Sequence, residues 1–422
     1  MRRRRLLTLA AALSGCGARP VGDATPRPGT TDGTAGGGTD AFPAGAAYGY
    51  THLRPDGNRV VPGTGGLPDA RPVDVALPGR PAWLVAAADG DATVWGVRLA
   101  DGRDRIYRLD GRSVSRVAAA RAPGTGPPLL SVAGGRPRLR GGARPTHPVP
   151  VPGAPGAAAV RPDGRLALPD GPVAADALPD ARVVTDGDRL YLLAGPTGRY
   201  GHGVLGDGIE ATAVAAVDPG TRSVRHLRPP DGVVEGLVPT VTDVDGDGRP
   251  EVVVTASDAE VGARLVALRP DGDAATGPPV GRGYRWRHRV AVAPFGPEGG
   301  VEIAAVRTPH LGGVAEFYRA EGDRLVPVAE RAGGYATHRI GSRNLGMAAA
   351  GDLDGDGRPE LLVPDGEARG LVALRRTAGG VSEAWRVPLG GRLETNLAAA
   401  VGAGGAVLGA GRPGTLRLWP GE

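Results

Sequence analysis

From about residue 46 to the C-terminus, short apolar runs of Val, Leu, Ala and Ile alternate with DG, PDG, GG and PG turns. Apolar or alternating runs of about four to eight residues closed by such turns predict strands joined by tight loops. No helical period of apolar positions with capping residues interrupts them. The pattern predicts an all-β domain over residues 46–422, preceded by a stretch of different texture. Residues 17–45, GARPVGDATPRPGTTDGTAGGGTDAFPAG, hold almost no large apolar side chain and predict a disordered tether.

The apolar runs repeat. Residues 243–251 read DVDGDGRPE before VVVTAS, and residues 352–360 read DLDGDGRPE before LLVPDG, 109 residues later. Between them, PFGPEGGVEIAAV at 294–306 places Glu302 51 residues after Glu251 and 58 before Glu360. VDVALPGRPAWLVAAADG at 73–90 keeps the Gly-Arg-Pro-apolar cadence without the acids. A period of about 50–55 residues matches one four-stranded propeller blade far better than a helical repeat. The clearest unit parses into strands at 238–244, 251–256, 262–268 and 281–289. Other units start near 71, 127, 181, 290 and 345, and a short one near 396 has room for three strands. AYGYTHLRPDGNRVV at 47–61 is the expected fourth strand, closing a ring by pairing the two ends of the chain. This gives a β-propeller of seven four-stranded blades, with six and eight as alternatives.

Composition agrees with a turn-rich fold, since the 72 glycines and 41 prolines make up about a quarter of the 422 residues. Charge excludes less than it first suggests. All 50 basic residues are arginine, against 45 acidic ones, and four of the arginines fall within residues 1–15. The remainder stands at 46 against 45, so the basic balance gives no case for nucleic acid.

Arg2 to Arg5 followed by the apolar run Leu6 to Leu13 form a leader over residues 1–15, too short to span a bilayer. Leu13-Ser14-Gly15-Cys16 resembles a bacterial lipobox, which implies that Cys16 is acylated and becomes the new N-terminus. Cys16 is the only cysteine, so no internal disulfide competes for it; an ordinary leader with an incidental cysteine is the alternative. The expectation is export and lipid anchoring to the cell or outer membrane, facing the extracytoplasmic side, with residues 16–45 as the tether.

The acidic loops carry the clearest chemistry. Calcium takes six to eight hard oxygen ligands, and carboxylates at alternate positions of a glycine-bent loop can surround one ion. The ligands would be Asp243, Asp245, Asp247, the carbonyl of Arg249 and Glu251 in the first loop. In the second they would be Asp352, Asp354, Asp356, the carbonyl of Arg358 and Glu360. An EF-hand is excluded because Pro250 and Pro359 lead into apolar runs, and the twelfth positions are Val254 and Val363. A polar hairpin without metal is the plainer alternative. Both loops resemble the calcium loop of FG-GAP/VCBS repeats, as in integrin-type propellers and many bacterial secreted proteins. The likeness extends loosely over about residues 235–390, and the ninth loop position departs from the commoner aspartate. The resemblance implies about two structural calcium ions. The loop with Pro294, Gly296 and Glu298 at the positions of the three aspartates is expected to bind none.

If the acidic loops join the first two strands of each unit, the other loops gather at the opposite rim. These are TGRYGHGVLGDGIEA at 197–211, RTPHLGG at 307–313, YATHRIGSRNLG at 335–346 and GRLETN at 391–396. Arg199, His202, Asp207, Glu210, His310, His338, Arg343 and Asn396 are the candidate ligand residues there. The stretch RGYRWRHR at 282–289 reads as an outer strand with Tyr284, Trp286 and His288 on one face and solvated arginines on the other. No catalytic signature such as H-E-x-x-H, G-x-S-x-G or a phosphate loop is present. The favoured reading is a monomeric binding module for a protein or polysaccharide. A propeller enzyme acting on carbohydrate or another polar substrate, and a structural scaffold, are the alternatives.

Overall fold

The structure, a computed structural model, describes residues 42–43, 45–118, 124–142 and 144–421. Cys16, the leader and the tether up to residue 41 lie outside the described residues. The described residues form thirty strands and no helix, and Ala41–Glu422 is one compact unit.

The strands form antiparallel meanders in chain order. The one containing the first acidic loop runs Val233–Thr242, Glu251–Asp258, Gly262–Leu268, Ala274–Thr276. The next runs Arg287–Ala293, Glu302–Arg307, Val314–Glu321, Arg324–Ala332. The one with the second acidic loop runs Ala349–Gly351, Glu360–Pro364, Gly370–Thr377, Gly380–Pro388. Earlier meanders run Pro81–Asp89 to Ser113–Val117 and Val184–Thr185 to Val224–Leu227. Between those two the regular pattern lapses into two three-stranded sheets, one of them pairing Ala47–Gly49 with Leu129–Ala133.

Burial explains the stacking. Second strands such as Glu251–Asp258 are buried on both faces, whereas last strands such as Gly380–Pro388 are largely open. A strand apolar on both faces needs a neighbouring sheet on each side. Val253 and Leu265 pack against Ile303 and Tyr318, and Val306 and Phe317 pack against Leu361, Val372 and Leu374. At the end of the chain, Leu84, Trp95 and Val97 of an early meander pack against Val407, Leu416 and Leu418. Successive meanders packed face to face, with inner strands buried and outer strands open, make this an all-β fold of the β-propeller type.

The structure corrects two strand assignments. The sequence places a fourth strand at 281–289, but the turn at Pro270-Asp271-Gly272, with Gly272 at φ 112°, folds the chain back at once into Ala274–Thr276. The second half of RGYRWRHR instead opens an inner strand, Arg287–Ala293, buried throughout. Alternation alone cannot tell a solvated arginine from one that meets a buried acid, as Arg287 Nε meets Glu316 Oε2 at 2.7 Å. The second correction concerns 47–61. The fourth strand beside Thr415–Trp419 is Val73–Ala76, whose alternation of half-buried and exposed residues suits a sheet edge.

Residues 50–67 instead run across the first strands of several meanders. Thr185 N–H donates to Pro55 O, Val241 N–H to Asp56 O, and Val61 N–H to Ala350 O. The Asn58 side chain exchanges two hydrogen bonds with the backbone of Val292. The Arg59 guanidinium donates to the carbonyls of Thr51, Gly346, Ala348 and Leu397. Thr51, His52, Asn58 and Arg59 are buried polar residues, a composition unlike a half-buried strand.

Candidate functional site

Each acidic loop joins the first two strands of its meander, and glycines at positive φ turn it: Gly246 and Gly248 at 82° and 83°, Gly355 and Gly357 at 78° and 84°. Both oxygens of Asp243 accept backbone N–H groups, from Gly246 at 2.6 Å and Gly248 at 2.9 Å. Glu251 accepts from Val244 N–H at 2.9 Å, as Glu360 accepts from Leu353 N–H at 3.1 Å. Carboxylate oxygens of Asp243, Asp245 and Glu251 lie within 4.8 Å of one another, as do those of Asp352, Asp354 and Asp356. Asp247 stands apart from the first group and accepts Arg249 N–H at 2.8 Å. Arg358 donates through its backbone to Asp356 and through its guanidinium to Arg376 O. The hard-oxygen donor set and the tight glycine turns fit a calcium ion.

An arginine faces each terminal glutamate across the sheet. The pairing of Val252 with Leu268 sets Glu251 beside Arg269, and that of Leu361 with Leu374 sets Glu360 beside Arg375. Arg269 Nη2 lies 3.2 Å from Asp245, and Arg375 makes ion pairs with Asp354, Asp356 and Glu360. The loop without the aspartates keeps the arrangement, with Arg319 Nη2 3.5 Å and Arg376 Nε 2.8 Å from the buried Glu302. Burial pushes the Glu360 carboxyl up to about 7 against the pull of Arg375. Burial likewise raises that of Glu251.

Connections in an antiparallel meander alternate between its two ends, so the second-to-third-strand loops and the inter-sheet connectors share the end opposite the acidic loops. The structure brings most of the rim residues together there. Arg343 bridges Asp180 at 2.8 Å and also pairs with Asp207, while Gly341 N–H donates to Val204 O at 2.9 Å. The 198–209 loop and the 335–346 connector thus meet, over a small core of Val204, Leu205, Leu237, Trp286 and Leu345. His202 Nδ1 lies 2.6 Å from the buried carboxylate of Glu235, which also accepts from Ser257 Oγ. Tyr284 stacks on the His202 ring at 5.4 Å and meets Tyr200 at 5.1 Å.

His310 Nε2 and His338 Nε2 face each other at 2.9 Å, so one ring donates and the other accepts. Burial, with the neighbouring histidines, holds both below the usual imidazole range. Burial, with the nearby Glu235 and Asp207 carboxylates, pushes Glu210 up to about 9. Beside this cluster opens a cleft of about 620 Å³ whose wall includes Arg199, Tyr200, Arg228, Asp231, Ser257 and Asp258.

Burial corrects the rim assignment: Glu210 and His338 lie beneath the rim at 2% exposure each, and Asn396 leaves it altogether. Asn396 is fully buried and exchanges hydrogen bonds with the backbone of Leu84, tying the last meander to an early one. Its short polar side chain in a loop gave no sign of depth. Glu235, Ser257 and Tyr200 were not legible as site residues, because Glu235 and Ser257 lie inside apolar strand runs. The rim also gathers apolar groups. Of the six exposed large apolar residues among the described residues, Ile209, Val261, Tyr284, Leu311 and Ile340 sit on loops of this end, and only Val401 does not.

No family model matches the chain, and no curated protein matches it. Among solved structures, the crystal structure of the WD40 β-propeller domain of Doa1 is similar at a TM-score of 0.43 and 11% identity, covering 84% of this chain and 96% of that one.

Proposed function

We propose that this chain is an exported, lipid-anchored β-propeller that binds a protein partner through the rim opposite its acidic loops. The observation that carries the reading is the collection of Ile209, Val261, Tyr284, Leu311 and Ile340 at one end of the sheets. Exposed apolar groups collected on one face and rimmed by charge are the mark of an interaction surface. The ion pairs of Arg343 and the small core below hold the 198–209 loop and the 335–346 connector, which carry Ile209 and Ile340, so these two need little ordering on binding. The ring itself is proposed to have seven blades, closed by Val73–Ala76 on Thr415–Trp419. Calcium at the two acidic loops would draw the carboxylates together and brace the hairpins. Cys16 carries the lipid, and the tether raises the ring from the membrane.

A photo-crosslinking residue placed at Leu311 in growing cells is expected to capture a defined partner, and one placed at Val401, on the other end, is not. Changing Ile340 to Asp should abolish the Leu311 crosslink while leaving the fold intact. Equal crosslinking from both ends, or none from Leu311, would sink the reading. Anchoring is checked separately by fatty-acid labelling, expected in the wild-type chain and absent in Cys16→Ala.

An enzyme acting on a polar substrate such as carbohydrate is the second reading, favoured by one observation. Glu210 is held in its acid form close to Glu235, the kind of paired carboxyl environment that separates an acid from a base. Turnover of glycoside substrates that disappears in Glu210→Gln would favour it over binding alone.

A further inference from the structure

Beneath the rim core lies a cavity of about 20 Å³ lined by Arg59, Arg182, Arg289, His52, His288 and Trp286 together with small and apolar residues. No carboxylate among the described residues lines it. That volume is room for one guest the size of a water or a halide. Leu237, Trp286 and Leu345 belong both to its wall and to the small core under the rim loops, so the cavity is roofed from that side.

The charge balance is unusual. Arg59 spends its N–H groups on four backbone carbonyls and meets no acid among the described residues. Arg182 donates to Arg343 O at 2.6 Å and leaves Nε without a partner. Asp180, whose charge supports the Arg182 guanidinium, is itself bonded to Arg343 at 2.8 Å. Arg289 is 9% exposed, and its buried Nε has no partner among the described residues. Nor does any hydrogen bond or ion pair join the rest of its guanidinium to those residues. Trp286 Nε1, a pure donor, is also buried without an acceptor among them. Burying a cation without a counter-charge is strongly unfavourable. Burial lowers the Arg289 guanidinium only to about 10, and Arg182 likewise, so both stay charged at neutral pH.

We propose that this cavity binds one small inorganic anion of halide size, held by Arg289, Arg182 and the Trp286 N–H, as a structural counter-ion at the centre of the fold. The anion supplies what the chain omits: acceptor capacity for the idle donors and one negative charge among three arginines. Larger oxyanions exceed the space.

The test uses the full-length chain. Its thermal melt is measured in chloride and in gluconate at equal ionic strength, and its crystals are grown in bromide for anomalous diffraction. The expected results are a Tm at least about 2 °C higher in chloride and a bromide peak in the cavity within hydrogen-bond reach of Arg289. Arg289→Met should abolish the chloride dependence. Should that variant not fold, Arg289→Lys, which keeps the charge but loses the fork of donors, should reduce it. Equal melting in the two salts, or bromide found only on the molecular surface, overturns the proposal on the wild-type protein alone.

Discussion

Glu210 is a carboxyl group whose surroundings favour the proton. Its folded value of about 9 lies above the ordinary 4.5, so between those two values the folded chain holds a proton that the unfolded chain has released. Its contribution to stability is therefore complete below the ordinary value and is lost as pH rises through about 9. Melting temperatures taken from about pH 5 to 10 should fall for the wild type. They should fall less for Glu210→Gln, which cannot ionise; parallel curves would refute the assignment. Arg287 and Glu316 form a buried ion pair at 2.7 Å. Glu316→Ala leaves Arg287 without its counter-ion and should cost about 3–5 kcal/mol in denaturant unfolding. None of these environments was legible in the sequence. A glutamate opening a strand looks the same whether it meets an arginine, another carboxylate or water.

At the scale of strands and loops, the acidic hairpins and their cross-strand arginines act together. Arg375 already neutralises part of the second loop through Asp354, Asp356 and Glu360. Exhaustive chelation is expected to lower the Tm of the wild type, because crowded carboxylates then repel one another. Replacing Arg375 with Met should enlarge that drop; an unchanged wild-type melt would remove the calcium proposal. The loops were readable because their acids and glycines are local in sequence, whereas the arginines lie on the next strand and needed the register. Packing between meanders rests on equally small details. Gly409 lies against the fully buried Trp95 ring, where an added Cβ would collide with it. Gly409→Ala should destabilise by about 1–3 kcal/mol, read from urea unfolding.

For the molecule as a whole, the two ends of the described chain are both committed. Val73–Ala76 completes the last sheet, and residues 50–67 bind the first strands of several others. A chain ending at residue 412 lacks Thr415–Trp419 and strips Val73–Ala76 of its partner. It should lose its single cooperative transition and aggregate through the exposed edge, as followed by calorimetry and light scattering. Asp74→Ala removes only exposed ion pairs with Arg412 and Arg417 and should change stability by less than about 1 kcal/mol.

The sequence by itself determined the all-β class, the approximate repeat, the acidic loops and the end of the sheets at which loops such as 198–209 and 308–313 gather. These follow from short-range properties: strand period, turn residues and the alternation of connections in a meander. Tertiary structure alone decided that Val73–Ala76 and not 47–61 pairs with the last strand, and that Asn396 is a clamp and not a rim residue. It alone brought His310 to His338 and set Arg59, Arg182 and Arg289 around one cavity. Those residues lie far apart along the chain, and no local pattern encodes which buried polar groups will meet once the sheets have stacked.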